Sequence, residues 1–132
     1  MLRSIGSVVL GYVVLALITI VGTSAAAALL LPRPAGGTQP GMPPPLTKSY
    51  LTANLTLSAL AAVVGGYVTA RMAPARPMVH VAVLALLIVA LSILSSRSPM
   101  STGQPGWYKR ILPFLGLVGA VAGGILRALQ TR

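Results

Sequence analysis

Few side chains in this 132-residue sequence can do chemistry. His80 is the only imidazole, and the chain has no cysteine, aspartate or glutamate. The lack of thiols excludes disulfides and iron–sulfur ligation, and the lack of acidic side chains excludes acid/base pairs, hard-cation cages and carboxylate proton relays. Hydroxyl side chains are plentiful, but none has the spacing to a histidine or lysine that activates a nucleophile. We therefore predict that the protein is not an enzyme.

His80 has two interpretations. As an axial ligand it would bind haem or the magnesium of a chlorophyll-type pigment. As a structural residue near the membrane surface it would form a hydrogen bond across a helical hairpin or to a lipid headgroup. No second ligand or cofactor motif accompanies the imidazole, so we favour the structural role and expect no cofactor.

Two arginines and one asparagine are the other polar candidates. Arg71 and Arg127 each end a glycine-rich apolar run, where a cation complements the helix dipole and reaches lipid headgroups. An anion site between these two arginines is the alternative. Asn54 is the one amide in the apolar part of its run, and we predict that it forms an interhelical hydrogen bond rather than a substrate contact.

The composition indicates a membrane protein. Hydrophobic residues make up 55% of the chain and charged residues 8%, whereas a typical soluble domain has about 25% charged residues. The net charge of +10 comes from basic residues at the ends of apolar runs, not from a basic patch with interleaved aromatics. We therefore predict no nucleic-acid partner. The expected partners are membrane lipids, mainly anionic ones, and other membrane protein subunits.

Four apolar runs must position these side chains. We predict an all-α integral membrane protein with a single transmembrane domain over residues 1–132, built from two antiparallel hairpins. The third helix is poor in glycine and rich in leucine, valine and isoleucine, and we expect it to face lipid most. The predicted helices cover residues 5–31, 50–72, 77–95 and 107–129.

Proline and glycine mark the connections between these helices. Residues 32–49 and 96–106 are predicted loops, and residues 43–45 a short polyproline II segment. The first apolar run is much longer than the apolar core of a signal peptide, so we interpret it as a transmembrane helix.

Small residues three or four positions apart predict close helix packing, since helices in lipid associate through backbone approach rather than hydrophobic burial. Residues 61–66 resemble residues 119–124, which suggests a duplicated hairpin whose second and fourth helices cross at their glycine pairs. The residues assigned to packing are Gly22, Ala26, Ser58, Ala62, Gly65, Gly66, Gly116, Gly119, Gly123 and Gly124.

Residues at the ends of the runs are assigned to lipid or partner contact. Basic residues divide five to five between the two predicted sides, so the positive-inside rule gives no orientation. We place both termini in the cytoplasm because basic residues and His80 flank the tight turn on that side. The assigned residues are Arg71, Arg76, Arg127 and an aromatic and basic interface belt of Trp107, Tyr108, Lys109 and Arg110.

The hairpin between the second and third helices carries a resemblance. Gly65-Gly66-Tyr67 is followed by Arg71, Arg76-Pro77 and His80. This pattern resembles small, functionally uncharacterised bacterial four-helix membrane proteins in which a GGY-like helix end meets a basic turn and then a histidine. The resemblance implies a polytopic protein of the bacterial cytoplasmic (inner) membrane and implies no activity.

Three functions are compatible with the sequence. We expect a non-catalytic accessory subunit within a larger respiratory or photosynthetic type of membrane complex, because the basic side chains need anions from outside the chain. The first alternative is a small homo-oligomeric transporter or channel lined by the glycine stripes with Asn54, Thr69 and Arg71. The second alternative is a pigment- or haem-binding protein that uses His80.

Overall fold

The computed structural model describes residues 2–31, 46–98 and 103–131, with side chains from Ser4 onward. Over these residues the chain is all-helical and contains no strand. Each of the four helices is long and apolar enough to cross a membrane, so the predicted fold class is confirmed. The helices are α1 (Leu2–Leu30), α2 (Lys48–Met72), α3 (Pro77–Ser96) and α4 (Gly106–Leu129).

The helix ends differ from the predicted ones by one to three residues. α1 covers residues 2–30, α2 and α4 begin at 48 and 106, and α3 ends at 96. α2 begins early because Thr47 caps it: its Oγ1 accepts a hydrogen bond from the Tyr50 N–H at 3.2 Å, which satisfies a free helix donor. The predicted polyproline segment lies outside the described residues.

A short turn between two prolines separates α2 from α3. The Ala73 N–H donates to the Thr69 carbonyl at 3.0 Å as α2 ends. Pro77 takes the first position of α3, where its missing N–H leaves no bond unmade. Before it, Arg76 adopts a left-handed backbone with φ 47° and ψ 61°, which costs a non-glycine residue about 1–2 kcal/mol.

α2 lies at the centre of the bundle and contacts the other three helices. α4 and α1 pack extensively against it, and α3 packs mainly against α4. Among the described residues α1 does not contact α4, and it meets α3 only loosely. We call this loose boundary the α1–α3 seam. Its two sides are formed by residues 4–19 of α1 and residues 79–95 of α3.

α1, and not α3, is the most exposed helix. Only 11% of its most apolar stretch is buried, compared with 22% for α3 and 28% for α2 and α4. The expectation that the third helix faces lipid most is therefore wrong. The number of neighbouring helices determines burial here, since α3 packs Val81 and Ile88 against glycines of α4, whereas α1 has only one close neighbour.

Candidate functional site

Backbone contact holds α2 against α4. A β-carbon on Gly123 would overlap the Val63 carbonyl and lie 2.8 Å from the Tyr67 nitrogen, and one on Gly66 would overlap the Ala120 carbonyl. The two helices therefore approach so closely that no side chain fits between them at these points. The predicted crossing of the second and fourth helices at their glycine pairs is confirmed.

The other predicted packing residues lie at the α1–α2 and α3–α4 boundaries, at the same α2–α4 boundary, and beside a cavity. On the α2 face towards α1, a β-carbon on Gly65 would lie 2.9 Å from the Gly11 carbonyl. In the same boundary Gly22 faces Leu57, and Ala26 is half-buried nearby on α1. Gly119 of α4 packs on Ala62 of α2. Between α4 and α3, Gly116 packs on Ile88 and Gly124 packs on Val81. Ser58 lies beside a cavity described below.

Gly11 of α1 lies in close contact with α2, and it is not among the residues predicted for packing. A β-carbon there would overlap the Thr69 hydroxyl, which is fully buried and has no hydrogen-bond partner in the described part of the chain. Gly11 lies four residues after Ser7, and this spacing of two small residues is the signal in the sequence that points to it.

A polar cluster ties three helices together in the half of the bundle near the two loops. The Thr23 hydroxyl of α1 donates to Asn54 Oδ1 of α2 at 2.8 Å. Asn54 Nδ2 donates in turn to the Tyr108 hydroxyl of α4. The predicted interhelical hydrogen bond of Asn54 is thus confirmed, with partners on two different helices.

Tyr108 does not belong to the interface belt. Its side chain is 1% exposed, which corrects its assignment to lipid or partner contact. The aromatic pair is divided: Trp107 is 46% exposed, and its ring meets the Tyr108 ring edge-on at a centroid distance of 6.0 Å. The buried hydroxyl needs a partner, and Asn54 supplies it.

The basic residues lie at the two ends of the bundle. Arg71, Arg76 and Arg110 are exposed, whereas Lys109 and Arg127 are half-buried. Near Arg71 and Arg127, the ends of α2 and α4 are joined by a hydrogen bond from the Tyr67 hydroxyl to Gln130 Oε1 at 2.7 Å. This bond links the two helix ends in addition to the glycine contacts between α2 and α4.

Two adjoining cavities of about 130 and 270 Å³ lie inside the α1–α3 seam. Their shared lining includes the hydroxyls of Thr19 and Ser92, and Ser58 of α2 lines the smaller one. Thr19 donates to its own helix backbone at 2.9 Å. Ser58 and Ser92 have no hydrogen-bond partner within the described residues. Burial of a hydroxyl group without a hydrogen-bond partner costs free energy, so the cavities suit water or a small hydroxylated molecule that supplies the partner.

His80 lines a separate groove of about 310 Å³ in the same seam, near the start of α1 and α3. Its Nδ1 lies 3.2 Å from the Arg76 carbonyl, to which it donates. The other ring nitrogen, Nε2, has no partner among the described residues. We call this site the His80 groove. Its lining residues are Ser4, Ile5, Val8, Val9, Val79, His80 and Val83.

The arrangement around His80 also bears on cofactor binding. A histidine that ligates a metal commonly donates its second ring nitrogen to a carbonyl, and His80 has that bond. In the described part of the chain, however, no three histidine, cysteine, aspartate or glutamate side chains come together. The geometry therefore offers one imidazole nitrogen beside an apolar groove.

Comparison with known proteins adds no family assignment. Neither a family model, nor a curated protein, nor a solved structure matches this chain. The function must therefore be inferred from the described geometry.

Proposed function

We propose that this protein is a non-catalytic accessory subunit that packs through α1 within a larger membrane complex of respiratory or photosynthetic type. The observation that carries the proposal is an outward face of small residues on α1. Ser24, Ala25 and Ala28 are exposed there, on the half of the helix near the first loop. Small exposed residues allow another transmembrane helix to approach closely, whereas large aliphatic residues suffice for lipid contact. We call these three residues the small face of α1.

The attachment of α1 supports this assignment. The helix has one close neighbour, α2, and the side opposite that neighbour is open. A partner helix on the small face would complete the packing of α1 without disturbing the α2–α4 crossing.

The charges support a partner as well. Exposed arginines lie at both ends of the bundle, including Arg71, Arg76, Arg97 and Arg110, and the sequence contains no acidic side chain. Anionic lipids or acidic residues of other subunits would supply the missing counter-charge. Such pairing between chains would also fix the orientation of the subunit in its complex.

We further propose the bacterial cytoplasmic membrane as the location, with both termini in the cytoplasm. Four spans put the termini on one side, together with the α2–α3 turn that carries Arg71 and Arg76. Because the chain has no cysteine, labelling of one introduced at Thr131 tests this orientation. Labelling of intact cells by a membrane-impermeant reagent would contradict it.

The test of the subunit proposal is native separation of membranes in mild detergent, with detection of this protein and mass spectrometry of its band. We expect migration with a large complex. In the double variant Ala25→Leu/Ala28→Leu most of the protein should migrate in a free form, and this free fraction should be about tenfold larger than in wild type. The reason is that leucines on the small face prevent the close approach of a partner helix.

The matched control is Ala82→Leu/Ala90→Leu, which adds the same volume at exposed positions of α3. This control should migrate like wild type. A wild-type band at a small multiple of 13.5 kDa would contradict the subunit proposal, as would equal shifts in the two double variants.

A second candidate function is a small homo-oligomeric transporter or channel, and the hydroxyl-lined cavities favour it. Thr19, Ser58 and Ser92 come from three helices and meet at one level inside the bundle. Such a site would carry water or a small neutral hydroxylated solute, since no acidic side chain is available to bind a cation.

Permeability of proteoliposomes tests this candidate. If the cavities form a path, water or glycerol flux should exceed that of protein-free liposomes about tenfold. Ser92→Leu should return it to background by filling the cavity. The control is Thr52→Leu, an exposed hydroxyl position on α2 outside the cavities. Flux equal to that of protein-free liposomes would rule out the candidate for these solutes.

A further inference from the structure

The His80 groove combines an apolar floor with a polar mouth. Valine and isoleucine side chains from α1 and α3 form most of its walls, and His80 contributes its imidazole from the first turn of α3. The groove covers residues 4–9 of α1, which corresponds to a depth of about 8 Å along the helix. Ser4 is also the first residue of the apolar, membrane-length stretch of α1, so the groove lies at the end of that stretch.

The α2–α3 turn fixes the chemistry of the mouth. Arg76 accepts the His80 Nδ1–H and the Val79 N–H on the same carbonyl, at 3.2 and 3.0 Å. Arg76 accepts both hydrogen bonds while its backbone is left-handed. A non-glycine residue adopts this conformation only when its surroundings impose it. The turn thus holds the ring in place and leaves Nε2 available to a ligand.

The charged residues described at the end of α2 and in the α2–α3 turn are both arginines. Arg76 is exposed in the turn, one helical turn before His80 in the chain, and Arg71 is exposed at the preceding end of α2. The chain contains no aspartate or glutamate that could neutralise them. The apolar His80 groove, at the end of the bundle that carries these arginines, matches a molecule with an acyl chain and a negative headgroup.

We propose that the His80 groove is a binding site for one anionic phospholipid. An acyl chain lies between α1 and α3, and the phosphate lies at the mouth beside Arg76 and His80. With Nδ1–H bonded to the Arg76 carbonyl, Nε2 accepts a hydrogen bond from a headgroup hydroxyl such as that of phosphatidylglycerol, and the phosphate pairs with the Arg76 guanidinium. This site does not depend on the subunit proposal, since the small face lies on another part of α1.

The test compares phosphatidylglycerol with phosphatidylcholine of identical acyl chains, added to the delipidated full-length protein in mild detergent. Native mass spectrometry counts bound lipids. We expect one phosphatidylglycerol to bind about tenfold more tightly than phosphatidylcholine. Val83→Phe should abolish the bound lipid by filling the groove, and Arg76→Ala should reduce its affinity about tenfold.

Two controls separate this site from general lipid contact. Ile93→Phe enlarges an exposed α3 residue outside the groove, and Arg97→Ala removes an exposed cation at the opposite end of α3. Neither should change binding. His80→Gln provides a second variant of the site should Val83→Phe fail to fold, and it should also weaken the bound phosphatidylglycerol.

Three results would overturn the proposal. One is equal binding of the two lipids by the wild-type protein. Another is retention of the single tight phosphatidylglycerol in Arg76→Ala and His80→Gln. The third is an equal loss in Arg97→Ala and Arg76→Ala, which would mean that the lipids follow the overall charge and not this groove.

Discussion

The contacts of Asn54 show how one buried amide organises three helices. The side chain accepts from Thr23 and donates to Tyr108, so its oxygen and its nitrogen each have a partner on a different helix. Asn54 lies in a stretch of α2 that is apolar enough to cross a membrane, where water is a poor substitute for these partners, so the cluster specifies one register of α1, α2 and α4. The pair Trp107 and Tyr108 illustrates the same preference, because only the tyrosine has a partner inside.

Replacement of Asn54 by leucine should lower the free energy of unfolding by about 1–2 kcal/mol. Interhelical hydrogen bonds in membrane proteins contribute on average about 0.6 kcal/mol each, and two are lost here. Unfolding in mixed detergent, followed by fluorescence of Trp107, the only tryptophan, measures the change.

Thr56→Val is the control for this measurement. The Thr56 hydroxyl is exposed and donates only to the Thr52 carbonyl of its own helix. Its replacement should change the stability by less than about 0.5 kcal/mol. Equal effects of the two substitutions would show that the cluster does not link the helices.

At the scale of the helices, the α2–α4 pair forms the rigid part of the bundle. Their contact runs from Gly119 to Gly123 on α4 and uses Gly66 on α2. Each glycine removes a side chain at a point where the other helix presents its backbone. α1 packs against α2 in the same way, through Gly11 and Gly65, over a shorter part of its length.

Gly123→Ala should destabilise the bundle by about 1–3 kcal/mol, although alanine is the better helix former. Its β-carbon would overlap the Val63 carbonyl, and backbone atoms cannot move aside without separating the helices. Thermal unfolding followed by circular dichroism in detergent measures the effect.

Gly6→Ala is the matched control, because a β-carbon there meets nothing within 4 Å. It should stabilise α1 by about 0.5–1 kcal/mol, since alanine restricts the unfolded chain more than glycine does. If Gly123→Ala proved as harmless as Gly6→Ala, the close α2–α4 crossing would not exist in the protein.

At the scale of the whole molecule, the groove and the two cavities that offer polar groups to a ligand all lie in the α1–α3 seam. The His80 groove lies near its basic, turn-bearing end, and the hydroxyl-lined cavities lie deeper and towards the loops. α2 separates α1 from α4, and α1 meets α3 through Val8, Tyr12 and Leu15, which pack against the buried cluster of Leu84, Ala85, Ile88 and Ala120. The small face of α1 is a further open surface and is the one we assign to a partner subunit.

The sequence alone determined the class of the protein and the position of its helices. Hydropathy and length are properties of each segment by itself, and the prolines at residues 74 and 77 mark a turn without reference to the rest of the chain. The crossing of α2 and α4 was also predictable, because paired glycines in both helices leave room for close contact.

Only the tertiary structure decided which side of each helix faces a neighbour. Apolar residues cover both the lipid-facing and the core-facing surfaces of a membrane helix, so their periodicity does not distinguish the two. For this reason the sequence placed Tyr108 in the interface belt, and it could not show that Ser58 and Ser92 meet. Contacts between distant segments depend on the order in which the helices pack, and that order follows from all four helices at once.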